Sequence, residues 1–167
     1  MFTNNFMSML KTLQLNETGW LSAKIWMNYV GNLAAPYSGD MLSMLRNPQS
    51  VECKSMTDAA KGFGLILGSG TAAVKSTDYA INEVTNYDVI DQALTTNMKK
   101  YSADVLNIHK TIKNTSDKDL VITEMGIFLF YTRDGGHESY MIAREVIPPV
   151  VVGPGKKKSF TMTLCAE

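Results

Sequence analysis

The string Gly68-Ser69-Gly70-Thr71-Ala72-Ala73, with Asp88 twenty residues beyond its first glycine, is the spacing in this chain closest to a known chemistry. In a dinucleotide site, glycines so placed let the backbone approach a pyrophosphate at a helix N-terminus, and a later acid holds a ribose hydroxyl. That chemistry requires a helix of several turns after the glycines and then a second buried parallel strand. Here Lys75-Ser76-Thr77-Asp78 reads as a turn, and Asn86-Tyr87-Asp88 is too polar for a buried strand. A glycine turn at Gly68 and Gly70 is expected, with no cofactor. The Gly-Lys-Ser/Thr step of a triphosphate loop is absent from the sequence.

His109 and His137, the only histidines, are separated by turn signals and have no partner at ligand spacing, so no metal site is expected. Cys53 and Cys165 lack Cys-x-x-Cys spacing and read as small buried apolar groups. Glu124 lies inside the most apolar run of the chain, and Arg144 lies in the next predicted strand. A buried carboxylate can have its pKa shifted toward acid–base work. The expected role is structural instead, with Glu124 accepting hydrogen bonds from backbone or from Arg144. No Gly-x-Ser-x-Gly or Ser-Lys arrangement points to a nucleophile. Lys156-Lys157-Lys158 follows Gly155 at a hairpin start, where solvated charge protects a strand edge; phosphate binding is the alternative there. Catalytic residues are not expected.

The elements that position these side chains read as mainly β. With 167 residues, 45% of them apolar, the chain is long enough for one domain with a substantial core. Sixteen basic and sixteen acidic side chains give zero net charge, which argues against nucleic acid as the main partner and against attraction to an anionic membrane. No basic leader and no apolar run of about 18 residues is seen, so neither export nor a membrane span is expected.

Gly62 to Leu67 reads as a strand stopped by Gly68-Ser69-Gly70, and a polar segment follows through Asp88. Leu106, Ile108, Lys110 and Ile112 alternate with polar residues, the two-residue period of a strand with one face toward a core. Leu120 to Tyr131 is a β-branched and aromatic run in which Ile122, Glu124, Gly126, Phe128 and Phe130 are expected on one side. Tyr140 to Ile147 forms the next strand, which Pro148-Pro149 ends or moves to an edge. Val150 to Val152 and Ser159 to Leu164 read as a final strand pair. Short strands without long intervening helices indicate an antiparallel β-sandwich or barrel-like domain over 61–167. Residues 1–60 read as an N-terminal arm, irregular with short helices. Phe2, Phe6, Met9, Leu10 and Leu13 suit one helical face, and the stretch carrying Trp20 and Trp26 fits helix or strand equally.

Three strings in order carry a resemblance: Gly68-Ser69-Gly70-Thr71 leading to Asp78-Tyr79-Ala80-Ile81, then Ile122-Thr123-Glu124-Met125-Gly126-Ile127-Phe128, then Met141-Ile142-Ala143-Arg144-Glu145 with Val152-Gly153-Pro154-Gly155. This order resembles a group of tailed-bacteriophage virion proteins, in which GSGT and DYAL segments precede ITEIGLF, LLARE and a closing strand. It covers Gly62 to Leu164. Met125 stands where that pattern has a smaller branched residue, and Pro154 where it has alanine.

The resemblance implies a non-enzymatic virion subunit of the tail, fibre or head-accessory type, assembled in the host cytoplasm. It implies a tight loop at Gly68 and Gly70, Tyr79 anchoring the polar segment, and an internal Glu124–Arg144 pair. Expected partners are copies of itself and other virion proteins. Phe2, Phe6, Trp20 and Trp26 of the arm are the expected contact with neighbours, because exposed apolar patches mark association. The alternative position is a capsid decoration or head fibre. The alternative of another class is a host-surface glycan-binding module, with Trp20, Trp26 or Tyr131 stacking on sugar rings.

Overall fold

The computed structural model describes residues 2–3, 26–31, 33–34, 44, 49–97, 105–133 and 136–165. A small two-stranded ladder, β1 (Trp26–Met27) and β2 (Leu33–Ala34), precedes six longer strands. These are β3 (Gly62–Gly68), β4 (Tyr87–Asn97), β5 (Val105–Asn114), β6 (Leu120–Arg133), β7 (Gly136–Val152) and β8 (Lys157–Cys165). They form two three-stranded sheets of order β3-β6-β7 and β4-β5-β8, with every neighbouring pair antiparallel. The mainly β, antiparallel class read from the sequence is the observed one.

The core lies between the sheets. Leu65 and Leu67 of β3, Ile127 and Leu129 of β6, and Tyr140 and Ile142 of β7 meet Tyr87 of β4, Ile108 and Ile112 of β5, and Phe160 and Met162 of β8. Burying each such side chain stabilises the fold by about 1.5–3 kcal/mol before chain entropy is counted. Strands β5 and β8 alternate cleanly because only one face of their sheet is covered. Strand β6 is apolar on both faces because its sheet is covered twice. A second cluster lies on its far side, where Ile66, Phe128, Phe130 and Met141 pack under Cys53 and Ile81, with Val51, Met56 and Ala60 at the margin.

Several expectations change. The polar stretch from Tyr87 contains β4, an eleven-residue strand. A register shift between Val89 and Asp91 breaks its alternation, and as an edge strand it needs only Tyr87, Val89 and Leu94 toward the core. Ile122 does not share a side with Glu124: the β6–β7 register shifts between them, so Ile122 joins the inter-sheet core while Glu124, Gly126, Phe128 and Phe130 face the other way. Val150 to Val152 belongs to β7, paired with β6, and the partner of β8 is β5. Strand β7 runs through Pro148-Pro149 at the edge of its sheet.

Phe2 is not on a helix. It forms a bridge to Ala143 and packs against the core, and Thr3 is buried with its N–H donating to Ile142 O at 3.0 Å. Trp26 is in a strand, opposite Ala34. Phe6 and Trp20 lie outside the described residues. Residues 49–51 run along β3, with Val51 N–H donating to Phe63 O and Phe63 N–H to Gln49 O.

The outer cluster is expected to carry real stability. Phe128→Ala should lower the unfolding free energy by about 3–5 kcal/mol in urea denaturation, whereas the exposed Val151→Ala should change it by less than about 0.5 kcal/mol.

Candidate functional site

Glu124 points away from the inter-sheet core into the layer between the β3-β6-β7 sheet and the 69–86 loop, and it is fully buried. Its Oε1 accepts hydrogen bonds from the backbone N–H of Gly70 (2.8 Å) and of Asn82 (2.7 Å). Its Oε2 accepts from Arg144 Nε at 2.8 Å, with Nη2 at 2.7 Å. The remaining arm of Arg144 donates from Nη1 to Asp78 Oδ2 at 2.8 Å. Asp78 Oδ2 also accepts the Lys75 N–H at 2.9 Å, and Thr123 Oγ1 donates to Gly70 O at 2.9 Å. The loop leaves β3 at Gly68 and returns beside it, with Ser69 N–H donating to Asn82 O and Val84 N–H to Leu67 O. One carboxylate and one guanidinium therefore hold both limbs of the loop to the sheet. Burial opposes charge on Arg144, but the bonds to Asp78 and Glu124 outweigh it and raise the guanidinium above its ordinary value.

The two glycines follow from this geometry. A Cβ at Gly68 would lie 2.7 Å from Glu124 Cγ and from Asn82 O, and one at Gly70 would lie 2.7 Å from the carboxylate carbon. The glycine turn presents N–H groups to an anion, as a phosphate loop does, and the anion is the protein's own Glu124. No helix follows Gly70, and β4 enters an antiparallel sheet, so the dinucleotide arrangement does not form. Tyr79 lies on the same loop, its ring against the 28–31 turn. A Cβ at Gly31, where φ is +81°, would sit 3.2 Å from Tyr79 Cζ. Gly68, Gly70, Asp78, Glu124 and Arg144, scattered through three motif strings, thus converge on one network.

A second charged group was not singled out from sequence, although its signal was present. Lys110 sits in the inward row of β5 between Ile108 and Ile112 and is fully buried. Its ammonium donates to Cys53 O at 2.5 Å and to Leu65 O, lies 3.9 Å from Cys53 Sγ, and stands 5.8 Å from the Tyr87 ring centroid. Leu65 O falls between the part of the β3 edge bonded to residues 49–51 and the part bonded to Val84. The lysine therefore closes a gap in the edge ladder. Burial pushes its pKa down to about 8, against the pull of Cys53, Asp58 and Glu52, and pushes the Cys53 thiol up to about 11. Beside this pair an open cleft of about 500 Å³ is lined by Glu52, Cys53, Lys54, Asp58, Asp88, Val89 and Ile90.

Other candidates are dispersed. His109 shares hydrogen bonds with Thr161 and Thr111 on the outer face of β5, whereas His137 meets Thr132. Among the described residues no group of three or more His, Cys, Asp or Glu side chains could hold a metal ion. Tyr131 is buried in the core, so its ring has no face for a sugar.

Two outcomes are expected. Glu124→Gln leaves Arg144 short of a counter-charge and Gly70→Ala drives a methyl into the carboxylate, so each should cost about 3 kcal/mol or more in denaturant unfolding. The depressed Lys110 value makes the unfolded chain bind more protons between about pH 8 and about pH 10, so this group's contribution to stability rises with pH there. Cys53, whose folded pKa is raised, works in the opposite sense, as does Tyr87 at higher pH. In a Cys53→Ser background, unfolding free energies should show a rise of about 1–2 kcal/mol over that interval with Lys110 present, and none after Lys110→Met.

No family model, curated protein or solved structure matches the chain.

Proposed function

We propose that the chain is a non-enzymatic structural subunit of a tailed-phage virion, a component of the tail, baseplate or connector that works through protein–protein contacts with its own copies and with other virion proteins. The observation that carries this reading is where the polar groups of the resembling motifs are used. Gly70, Asp78, Glu124 and Arg144 are bonded to one another, and Asn82 of the same loop supplies the carboxylate's other N–H contact. A reaction centre needs convergent groups aimed at a space a substrate can enter. Here the acids and the base are turned inward to fasten a loop, as a scaffold requires.

The sandwich also offers surfaces suited to contact. The outer face of β5 and β8 is polar, and beside His109, Lys113 and Lys157 its smaller side chains are tied together across the strands, with Thr111 to Ser159 at 2.8 Å and Thr163 to Asn107 at 2.6 Å. Such a face remains solvated or lies against a polar neighbour. A capsid decoration or head fibre uses the same physics in another place on the particle, and a host-glycan module would have to use residues other than Tyr131.

Purified particles carrying the gene with a short epitope tag provide the test. Antibody labelling in electron micrographs should mark the tail, and the chain should appear in particle mass spectra in many copies. Labelling confined to the head would move the subunit to the capsid, and absence from washed particles would end the virion reading.

A further inference from the structure

The two sheets treat their edges differently. In the β3-β6-β7 sheet, β3 is covered by residues 49–51 and 82–84, and β7 is covered by Phe2-Thr3 and Tyr29. Further along β7, Pro148 and Pro149 are exposed and remove two N–H donors. In the β4-β5-β8 sheet, β4 and β8 are the outer strands, and among the described residues no backbone hydrogen bond joins their outer edges to another segment. After Lys158, β8 continues as Ser159-Phe160-Thr161-Met162-Thr163-Leu164, with no charge, proline or glycine to discourage pairing.

Charge distinguishes the two open edges. Asp88 of β4 is opposite Lys113 of β5, and Lys113 is opposite Lys157 of β8, so an acid and a base lie in one row at the two margins of the sheet. On the β4 margin, Asp88 and Asp91 are exposed, and the open cleft beside them carries Glu52, Asp58 and the 45% exposed side chain of Ile90. On the β8 margin, Lys156, Lys157 and Lys158 are all exposed. Lys113 and Lys157 are like charges directly opposite each other, and Asp88 stands on the far side of Lys113, so Lys157 is the end of the row that faces no acid across the ladder. Asp88 does pair with Lys54 at 3.0 Å, but both side chains are well exposed and the pair is screened by water. Another lysine can share that carboxylate.

Resting on the reading that the chain works through copies of itself, we propose that the β8 edge of one copy docks along the β4 edge of a second copy, seating Lys157 beside Asp88. Strands β4 and β8 both run antiparallel to β5 and are therefore parallel to each other. A neighbour placed without being turned over meets β4 with a parallel β8, and the row of Lys157 meets the row of Asp88 on the same face. The contact is heterologous: each copy offers a different margin, so association continues head to tail until a rotation closes a ring.

The test uses the full chain and its mass in solution by light scattering across a concentration series at low and high salt. The wild type is expected to associate, less so at high salt. Lys157→Glu/Lys158→Glu, and separately Asp88→Lys/Asp91→Lys, should weaken association at least about tenfold while leaving denaturant unfolding near wild type. Mixed one to one, the two variants should associate again, because each margin of one chain then opposes the complementary margin of the other. A wild type that associates, with variants of unchanged mass, would overturn this contact and leave self-assembly standing on another surface. Variants that weaken but do not rescue each other would overturn the head-to-tail pairing. A wild type monomeric at every concentration would overturn both the contact and the self-association on which it rests.

Discussion

A carboxylate withdrawn from water must have its oxygens satisfied by the protein, and Glu124 imposes that condition on the rest of the 69–86 loop. Two backbone N–H groups and two guanidinium nitrogens meet it. Each requirement constrains another residue: glycine at 68 and 70 so that the backbone can come close, Arg144 on the adjacent strand, and Asp78 to take the outer nitrogen of Arg144. An apolar residue at position 124 could bury similar area, but it would not fix the height of the loop above the sheet or select one path for it. The charged pair adds little net stability by general experience; what it supplies is a single geometry for a segment with no regular secondary structure of its own.

That segment decides how much of β6 is hidden. Ile81, carried on the fastened loop, joins Cys53 in covering Ile66, Phe128 and Phe130, which would otherwise form an exposed aromatic patch. Polar clasp and apolar cover are therefore coupled, since the cover sits on the loop the clasp holds. Lys110 acts in a comparable way from the other sheet, spanning the core to satisfy a β3 carbonyl at the point where neither flanking segment can. Both devices use a buried charge to finish backbone hydrogen bonding at places where a third covering layer is irregular.

Much of this was legible in the sequence where one period or one rule acted alone. Strands β5 and β8 follow strict alternation, and the doubly apolar β6 reads directly as a strand covered on both faces. The Glu124–Arg144 pair could be expected from an acid and a base in adjacent apolar runs, and the observed distances match. The illegible parts are those where two rules interfere. The bulge in β4 disrupts its period after three residues, so a polar edge strand looks like a loop. The shift between Ile122 and Glu124 reverses the facing of β6 without a glycine or proline at that point of the strand to announce it. Lys110 was placed correctly in the inward row, yet nothing local indicates that its ammonium finds carbonyls on Cys53 and Leu65, because those partners lie 57 and 45 residues away in sequence. The Gly68–Gly70 string shows the converse limit: a motif encodes a backbone shape that welcomes an anion, and whether that anion is a cofactor or Glu124 is decided by long-range packing.

The zero net charge also acquires a different meaning once the strands are placed. Read as a sum, it supplies no net attraction to a polyanion. Read along the β4-β5-β8 sheet, it is a separation, with Asp88 at the β4 margin and Lys157 at the β8 margin of the same row. A neutral molecule with divided margins gains little from a uniformly charged partner, because one margin is repelled wherever the other is attracted. It gains most from a partner divided in the same way, and another copy of the same chain is such a partner. Among the described residues, both edges of one sheet are covered in cis by backbone hydrogen bonds while those of the other carry none, which points in the same direction, since β edges without backbone partners invite indiscriminate pairing unless something selects the occupant. In the proposed contact, Asp88 and Lys157 at matched height would provide that selection, favouring the parallel β8-to-β4 approach and repelling β8 from β8 or β4 from β4.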